Sequence, residues 1–258
     1  MDLLDISLFK SLIADPRFPF AVVIAILAGV VRGFSGFGSA LIHIPLIAAL
    51  YNPRIAAVTI LLIDFAAAGP LSIREFPKCN WRDVLPVAVV AALSIPVGAL
   101  ALSVVDPVIL RWFIAFLIFL LLVPLALGWR YEGKPKPAAS VAVGMISGLG
   151  AGAVQIGAPA VVLYWLGTVP KVATLRANLM VYLLLIDIFG VTVYGAKGFL
   201  TADGVALSIL LGPPFFVAMA AGAYFFHGSS DTFYRRVAYG IIALAALLSL
   251  PLFDGIFR

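Results

Sequence analysis

The chain has 258 residues, of which 64% are hydrophobic and 11% are charged, and its mean hydropathy is +1.16. A soluble domain normally carries about a quarter charged residues, and surface-to-volume scaling prevents a chain of this length from hiding so much apolar surface. The apolar runs are about 20 residues long, the length that crosses a bilayer as a helix. We therefore expect an all-α polytopic membrane protein. The formal charge of +5 is spread over short loops, and no nucleic-acid-binding motif accompanies it.

The first 17 residues are amphipathic and predict a short helix, residues 1–17, that lies on the membrane interface and ends at Pro16. Asp2 and Asp5 stand where a cleavable signal would carry positive charge, so we do not expect cleavage. The single cysteine, Cys79, excludes an intrachain disulfide and is interpreted as a spectator thiol.

Eight apolar segments follow, with a polar linker at residues 129–137 near their middle. They are Phe18–Leu50, Ile55–Ile73, Val84–Val104, Val108–Gly128, Ala138–Leu166, Ala177–Ala196, Gly204–Phe226 and Val237–Phe253. The linker separates a first transmembrane repeat, residues 18–128, from a second, residues 138–258.

The two repeats share residues in the same order, which indicates an internal duplication. The matched positions are Gly29 and Gly33 with Gly144 and Gly148, Pro45 with Pro159, residues 53–56 with residues 170–173, Asp83 with Asp203, Gly98 with Gly222, Asp106 with Asp231, and Arg111 with Arg236.

The first segment of each repeat is too long for one crossing. Phe18–Leu50 would span ~50 Å as one helix, against ~30 Å for the hydrocarbon core. Each of these segments contains a glycine cluster followed by a proline, which predicts a helix that breaks at membrane depth. A re-entrant or doubly spanning segment would make the repeats inverted, whereas a single kinked crossing would make them parallel. We favour inverted repeats, because paired broken segments are typical of such transporters.

The glycine clusters are the first candidates for substrate binding. Unwound backbone presents bare N–H groups, and a helix N-terminus adds partial positive charge, so together they suit a small anion. The alternative is close packing of helices through small residues. The candidate residues are Gly33, Ser35, Gly36, Gly38 and Ser39 in the first repeat, and Gly148, Gly150 and Gly152 in the second.

Five polar side chains near the glycine clusters could help to hold an anion: Arg32, His43, Gln155, Arg176 and Asn178. An arginine stays charged, and its planar guanidinium group presents several N–H donors that suit an oxyanion. An arginine side chain near the membrane interface could instead extend to water. A histidine could bind the anion, relay a proton, or be neutral and bonded to a neighbouring group.

Two carboxylates, Asp64 and Asp187, lie near the middles of apolar segments and are candidates for proton coupling. A protonated carboxyl that bonds a neighbouring helix is the alternative. The chain has only two histidines, His43 and His227, and no metal-ligand cluster, Walker lysine or nucleophile–base pair. We expect no metal, no cofactor and no enzymatic activity.

The stretches GVVRGFSGFGSALIHIPLI and SGLGAGAVQIGAPAVVLYWL resemble the two glycine-rich motifs of the TauE/SafE family, and similarity in family order runs from about residue 20 to residue 250. The resemblance implies a multi-pass carrier of the bacterial cytoplasmic (inner) membrane. It implies transport of sulfite, sulfonates or related sulfur oxyanions, coupled to ions rather than to ATP, with the glycine turns flanking the substrate. The denser glycine runs that are common in the family are absent from GFSGFG and GLGAG, which leaves the identity of the anion open.

The function expected from the sequence is therefore secondary-active transport of a small anion by alternating access, with H+ as a candidate coupling ion. An anion or small-solute channel is the alternative. The direction of transport and a homodimeric assembly stay open.

Overall fold

The computed structural model describes residues 6–128, 136–169, 171–225 and 231–253, and in these ranges helices are joined by short turns, with no β-strand. The all-α prediction is confirmed. Most of the linker predicted at residues 129–137 lies outside the described residues. The helices are α1 (Ile6–Ala14), α2 (Phe18–Ser35), α3 (Ser39–Leu50), α4 (Pro53–Glu75), α5 (Trp81–Val104), α6 (Pro107–Ala126), α7 (Pro137–Val154), α8 (Ala158–Thr168), α9 (Val172–Ala196), α10 (Ala202–Phe225) and α11 (Asp231–Leu248). Short 3-10 turns follow α4 and α11, at Phe76–Lys78 and Pro251–Phe253.

Five helices in the described ranges are long and apolar enough to cross a bilayer: α5, α6, α7, α9 and α10. Two further bent pairs could each count as one span, which would raise the number to seven. One pair is α1 with α2, and the other is the two parts of the bent helix α4. Large apolar side chains such as Leu93 and Val217 are more than 70% exposed, as expected for side chains that face lipid. A multi-pass membrane protein is confirmed.

The first long segment folds back on itself at two glycines. Gly36 and Gly38 have φ values of 75° and 94°, the left-handed region that a residue without a Cβ enters freely, and they end α2 and begin α3. The short helix α3 then returns towards the start of α2, where Arg17 Nη1 donates to Leu50 O at 3.2 Å. The segment is a helical hairpin, so the single kinked crossing is excluded.

The second long segment is also a hairpin, but its break is displaced from the predicted position. Helix α7 continues through Gly148, Gly150 and Gly152 to Val154, and the chain turns at Gln155, which has a φ of 57°. Helix α8 returns towards the start of α7, where Tyr164 Oη and Ser140 Oγ are 2.9 Å apart. The predicted break at the glycine cluster is therefore wrong in position.

These glycines are instead helix-packing residues. A Cβ on Gly148 would overlap the carbonyl oxygen of Ala91 in α5, and a Cβ on Gly152 would overlap that of Ile95. A Cβ on Gly33 would lie 2.9 Å from the backbone nitrogen of Ala223 in α10. Helices α5 and α7, and likewise α2 and α10, therefore touch backbone to backbone. Each of these pairs takes one helix from each half of the chain.

The directions of the paired helices follow from successive contacts. Along α7, Gly144, Gly148 and Gly152 meet Val87, Ala91 and Ile95 of α5 in the same order, so these helices are parallel. Helix α2 runs parallel to α10 by the same criterion.

Helices α4 and α9, the second long helices of the two halves, run in opposite directions. Ser72 Oγ donates to Met180 O at 2.8 Å, whereas Leu61 lies against Gly190. Helices α6 and α11 are also antiparallel, since Arg111 near the start of α6 donates to Ser249 O after the end of α11. This pattern is the one that inverted repeats would produce. The inversion and the repeat boundaries stay predictions.

Candidate functional site

A cavity of about 40 Å³ lies where the two hairpin turns meet the middles of α4 and α9. Its volume accommodates about three water molecules. Polar and charged groups from both halves line it together with small and aliphatic side chains. The lining residues are Arg32, Gly38, Ser39, Ala40, Ile60, Leu61, Asp64, Ser147, Ala151, Gln155, Gly157, Ala158, Tyr182, Leu183, Ile186 and Asp187.

The first-half wall carries a buried ion pair. Arg32 stands in the last turn of α2 and is 8% exposed, and its Nε lies 3.8 Å from Asp64 Oδ1. Ser39, the first residue of α3, donates from Oγ to Asp64 at 2.9 and 3.2 Å. The left-handed turn at Gly36 and Gly38 thus delivers Arg32 and Ser39 to the same carboxylate.

The second-half wall is held by a hydrogen-bonded network around the turn at Gln155. Ser147 Oγ donates to Gly157 O at 2.8 Å and is 2.6 Å from Tyr182 Oη, which therefore donates to Ser147. Tyr194 Oη donates to Gly152 O at 2.9 Å and also interacts with the Gln155 side chain. These bonds fix a turn that a residue other than glycine enters only at a cost.

Asp187 completes the cavity on α9. It is 6% exposed, and its Oδ2 has no hydrogen-bond partner among the described residues. Asp187 interacts electrostatically with Asp64 and Arg32. Helices α4 and α9 touch at two points, Leu61 with Gly190 and Ser72 with Met180. Each aspartate lies between these two points on its own helix, so Asp64 and Asp187 are at the same level of the antiparallel pair.

The charges of the cavity have a direct consequence for anion binding. With Arg32, Asp64 and Asp187 all ionised, the cavity carries one net negative charge, and an entering anion would add to it. Charges at this depth are costly unless they are balanced. Each proton that an aspartate takes up removes one negative charge, so a proton would offset the charge of an anion that entered the cavity.

Six of the predicted residues meet at this cavity. They are Arg32, Gly38, Ser39, Asp64, Gln155 and Asp187. The other predicted residues do not line it. These are Gly33, Gly36, His43, Gly148, Gly150, Gly152, Arg176 and Asn178, while the side chain of Ser35 lies outside the described residues.

The polar residues that lie away from the cavity have other surroundings. His43 is fully buried, with Nε2 2.7 Å from Thr59 Oγ1, as in the alternative of a histidine bonded to a neighbour. Arg176 is exposed near the start of α9, which fits a side chain that extends to water. Asn178 is fully buried and accepts a bond from the Asn80 backbone N–H at 2.8 Å. Gly150 lets the chain after the turn pack on α7, where Ile156 N donates to Gly150 O at 3.1 Å.

Sequence reasoning did not select Tyr182. It stands five residues before Asp187 in an apolar run, and a tyrosine there is also typical of lipid-facing or core positions. Its hydroxyl becomes a site group only because α7 brings Ser147 within bonding distance.

A family model described as Sulfite exporter TauE/SafE matches residues 21–249 of the chain. The chain belongs to the TauE/SafE family. The match covers the second hairpin, all of the first hairpin except residues 18–20, and every residue that lines the cavity. The resemblance noted from the two glycine-rich motifs is therefore confirmed, and TauE/SafE membership agrees with a membrane transporter. No curated protein and no solved structure matches the chain.

Proposed function

We propose that this TauE/SafE chain is a secondary-active transporter, not an enzyme, that moves a small sulfur oxyanion across the bacterial cytoplasmic membrane. Sulfite is the first candidate, because the family is described as a sulfite exporter family. The observation that carries the proposal is the cavity between the two hairpin turns, where one buried guanidinium faces two carboxyl groups.

The mechanism is alternating access with proton coupling about inverted repeats. Arg32 is the cation that receives the anion, and Ser39 and Gln155 supply polar groups beside it. Asp64 or Asp187 takes up the proton that restores the charge balance when the anion enters. The antiparallel α4 and α9, and the hairpins that approach from the two halves, support a site that opens alternately to each face.

The test is uptake of sulfite by the purified protein in liposomes, with and without a proton gradient. We expect saturable uptake that accumulates sulfite above its outside concentration and collapses with a protonophore. A linear, non-saturating flux of sulfite that the proton gradient does not drive would support the alternative function, an anion or small-solute channel.

Arg32 and Arg176 form a matched pair of variants for this assay. Loss of a charged hydrogen-bonding group from a binding site costs about 1.5–3 kcal/mol, or about 10- to 150-fold in affinity. We therefore expect Arg32→Gln to raise the KM for sulfite by that factor, while Arg176→Gln, at an exposed position, changes it less than about twofold. Equal effects of the two variants would contradict the assignment of the site to the cavity.

A further inference from the structure

Two N–H donors outside the cavity are buried without a hydrogen-bond acceptor in the part of the chain that the structure describes. They are Asn178 Nδ2 on α9 and Trp165 Nε1 on α8. Asn178 is 0% exposed and Trp165 is 1% exposed. Buried polar groups nearly always have a partner, so a pair without one calls for a ligand or water that bonds it.

The donor character of both groups is chemically fixed. The Asn80 backbone N–H donates to Asn178 Oδ1 at 2.8 Å, so the oxygen of the amide is placed at Asn80 and Nδ2 is the free end. An indole nitrogen can only donate. Two donors without an acceptor are complementary to the oxygens of an oxyanion, and not to a cation.

These donors lie beside the cavity. The Trp165 ring packs edge-on against Tyr182 with centroids 5.6 Å apart, and Tyr182 lines the cavity. Asn178 stands one turn before Tyr182 on the same face of α9. The donors are therefore displaced from the cavity towards the N-terminal end of α9.

That end of the molecule is rich in basic residues. The parallel pair α5 and α7 starts there, and α4 ends there because it runs opposite to α9. Among the described residues of this surface, which we term the α9 face, basic residues outnumber acidic ones. The basic ones are Arg74, Lys78, Arg82, Lys136, Lys171 and Arg176, and the acidic ones are Glu75 and Asp83. A surface of one sign concentrates ions of the opposite sign.

We propose that Asn178 and Trp165 form an outer anion subsite that holds a small oxyanion between the α9 face and the cavity. The inference rests on the proposed function, since the anion is the transported one. The subsite takes the anion from the basic surface, and Tyr182 separates it from the cavity.

Trp165→Phe tests the subsite, because it removes the N–H and keeps a ring against Tyr182. Transport is measured in vesicles of known protein orientation, with sulfite supplied from one face at a time. Loss of one hydrogen bond to a charged ligand predicts a KM raised about tenfold or more from the α9 face. The KM from the opposite face should stay within about twofold. The maximal rate from that face should fall by the same factor by which KM rises at the α9 face, because Vmax/KM must change equally in both directions when no gradient is present. Trp112→Phe, at a half-exposed position on α6, is the control.

Unfolding of the protein with and without sulfite provides a readout that separates binding from structure. The Trp165 N–H has no partner to lose, so Trp165→Phe should lower the unfolding temperature without sulfite only by the cost of the cavity that the smaller ring leaves. It should also reduce the rise in unfolding temperature that sulfite causes. An undiminished rise in unfolding temperature with sulfite, together with an unchanged KM, would overturn the subsite.

Asn178→Asp is the second variant. It keeps the oxygen that accepts from Asn80 and replaces the donor by a group that repels anions, so its effect on KM from the α9 face should equal or exceed that of Trp165→Phe. If the unmodified protein transports sulfite and both variants have the same KM from the α9 face as the unmodified protein, only the proposed subsite is wrong. If the unmodified protein moves no sulfite, the proposed function itself fails.

Discussion

Substitution of Gly152 by alanine tests the backbone contact between α5 and α7 that brings the two halves of the chain together. A Cβ at Gly152 would overlap the Ile95 carbonyl oxygen and lie 2.9 Å from the Ile95 carbonyl carbon and 3.0 Å from the Ala99 nitrogen. All three are backbone atoms, so no side-chain rotation can make room and the helices must separate.

The expected magnitude follows from two opposing effects. Alanine favours a helix interior by about 1 kcal/mol over glycine, whereas overpacking typically costs 1–3 kcal/mol and here meets only backbone. We expect Gly152→Ala to lower the free energy of unfolding by about 1–2 kcal/mol. Gly69→Ala is the control, because nothing lies within 4 Å of its added Cβ, and it should gain up to about 1 kcal/mol.

Thermal unfolding of purified protein in detergent at a fixed heating rate measures the difference. The two alanine variants should differ by about 1–3 kcal/mol, or about 2–12 °C at 2–4 °C per kcal/mol. Gly98→Ala should act like Gly152→Ala, and the double variant should be non-additive, since the Cβ of one lies 3.0 Å from the Cα of the other. If Gly152→Ala is as stable as Gly69→Ala, the two helices are not in contact at this point.

Three further outcomes follow from the site and its surroundings. Asp187→Asn removes a proton acceptor but keeps the shape of the side chain, so we expect sulfite exchange to persist while the proton gradient no longer drives accumulation; gradient-driven accumulation at the normal level would exclude Asp187 as the coupling group. Gln155→Gly should raise the unfolding temperature by relieving about 1 kcal/mol of left-handed strain, whereas Gln155→Ala should not, and an equal gain in both would show that the turn is unstrained. Burial raises the pKa of the Cys79 thiol to about 11, so labelling of Cys79 by maleimide should be slow at pH 7 and rise about tenfold per pH unit up to about pH 10; a plateau near pH 8 would contradict this environment.

The residues of the site were predictable from the cost of placing them in lipid. Arg32, Asp64 and Asp187 stand in apolar runs where a charge needs a partner, and the structure brings all three to one cavity. The same logic also selected His43 and Asn178, which are buried outside the cavity, where His43 contacts Thr59 and Asn178 accepts from Asn80. A polar residue in an apolar run shows that some partner exists, but it does not show which one.

The glycine clusters show the limit of local reasoning most clearly. Glycine weakens a helix and also lets two helices touch, and both effects predict the same residue type. In the first half, Gly36 and Gly38 adopt left-handed conformations and make the turn. In the second half, Gly148 and Gly152 stay helical because α5 packs against them, and the turn falls at Gln155.

The sequence by itself determined that the chain is a helical membrane protein with two interrupted apolar segments, because hydropathy and run length are local properties of the chain. Only the tertiary structure decided which helices pair, where the second turn falls and which charged residues share a cavity. Those features depend on contacts between helices far apart in sequence, such as α7 against α5 and α9 against α4, and no spacing along the chain encodes them.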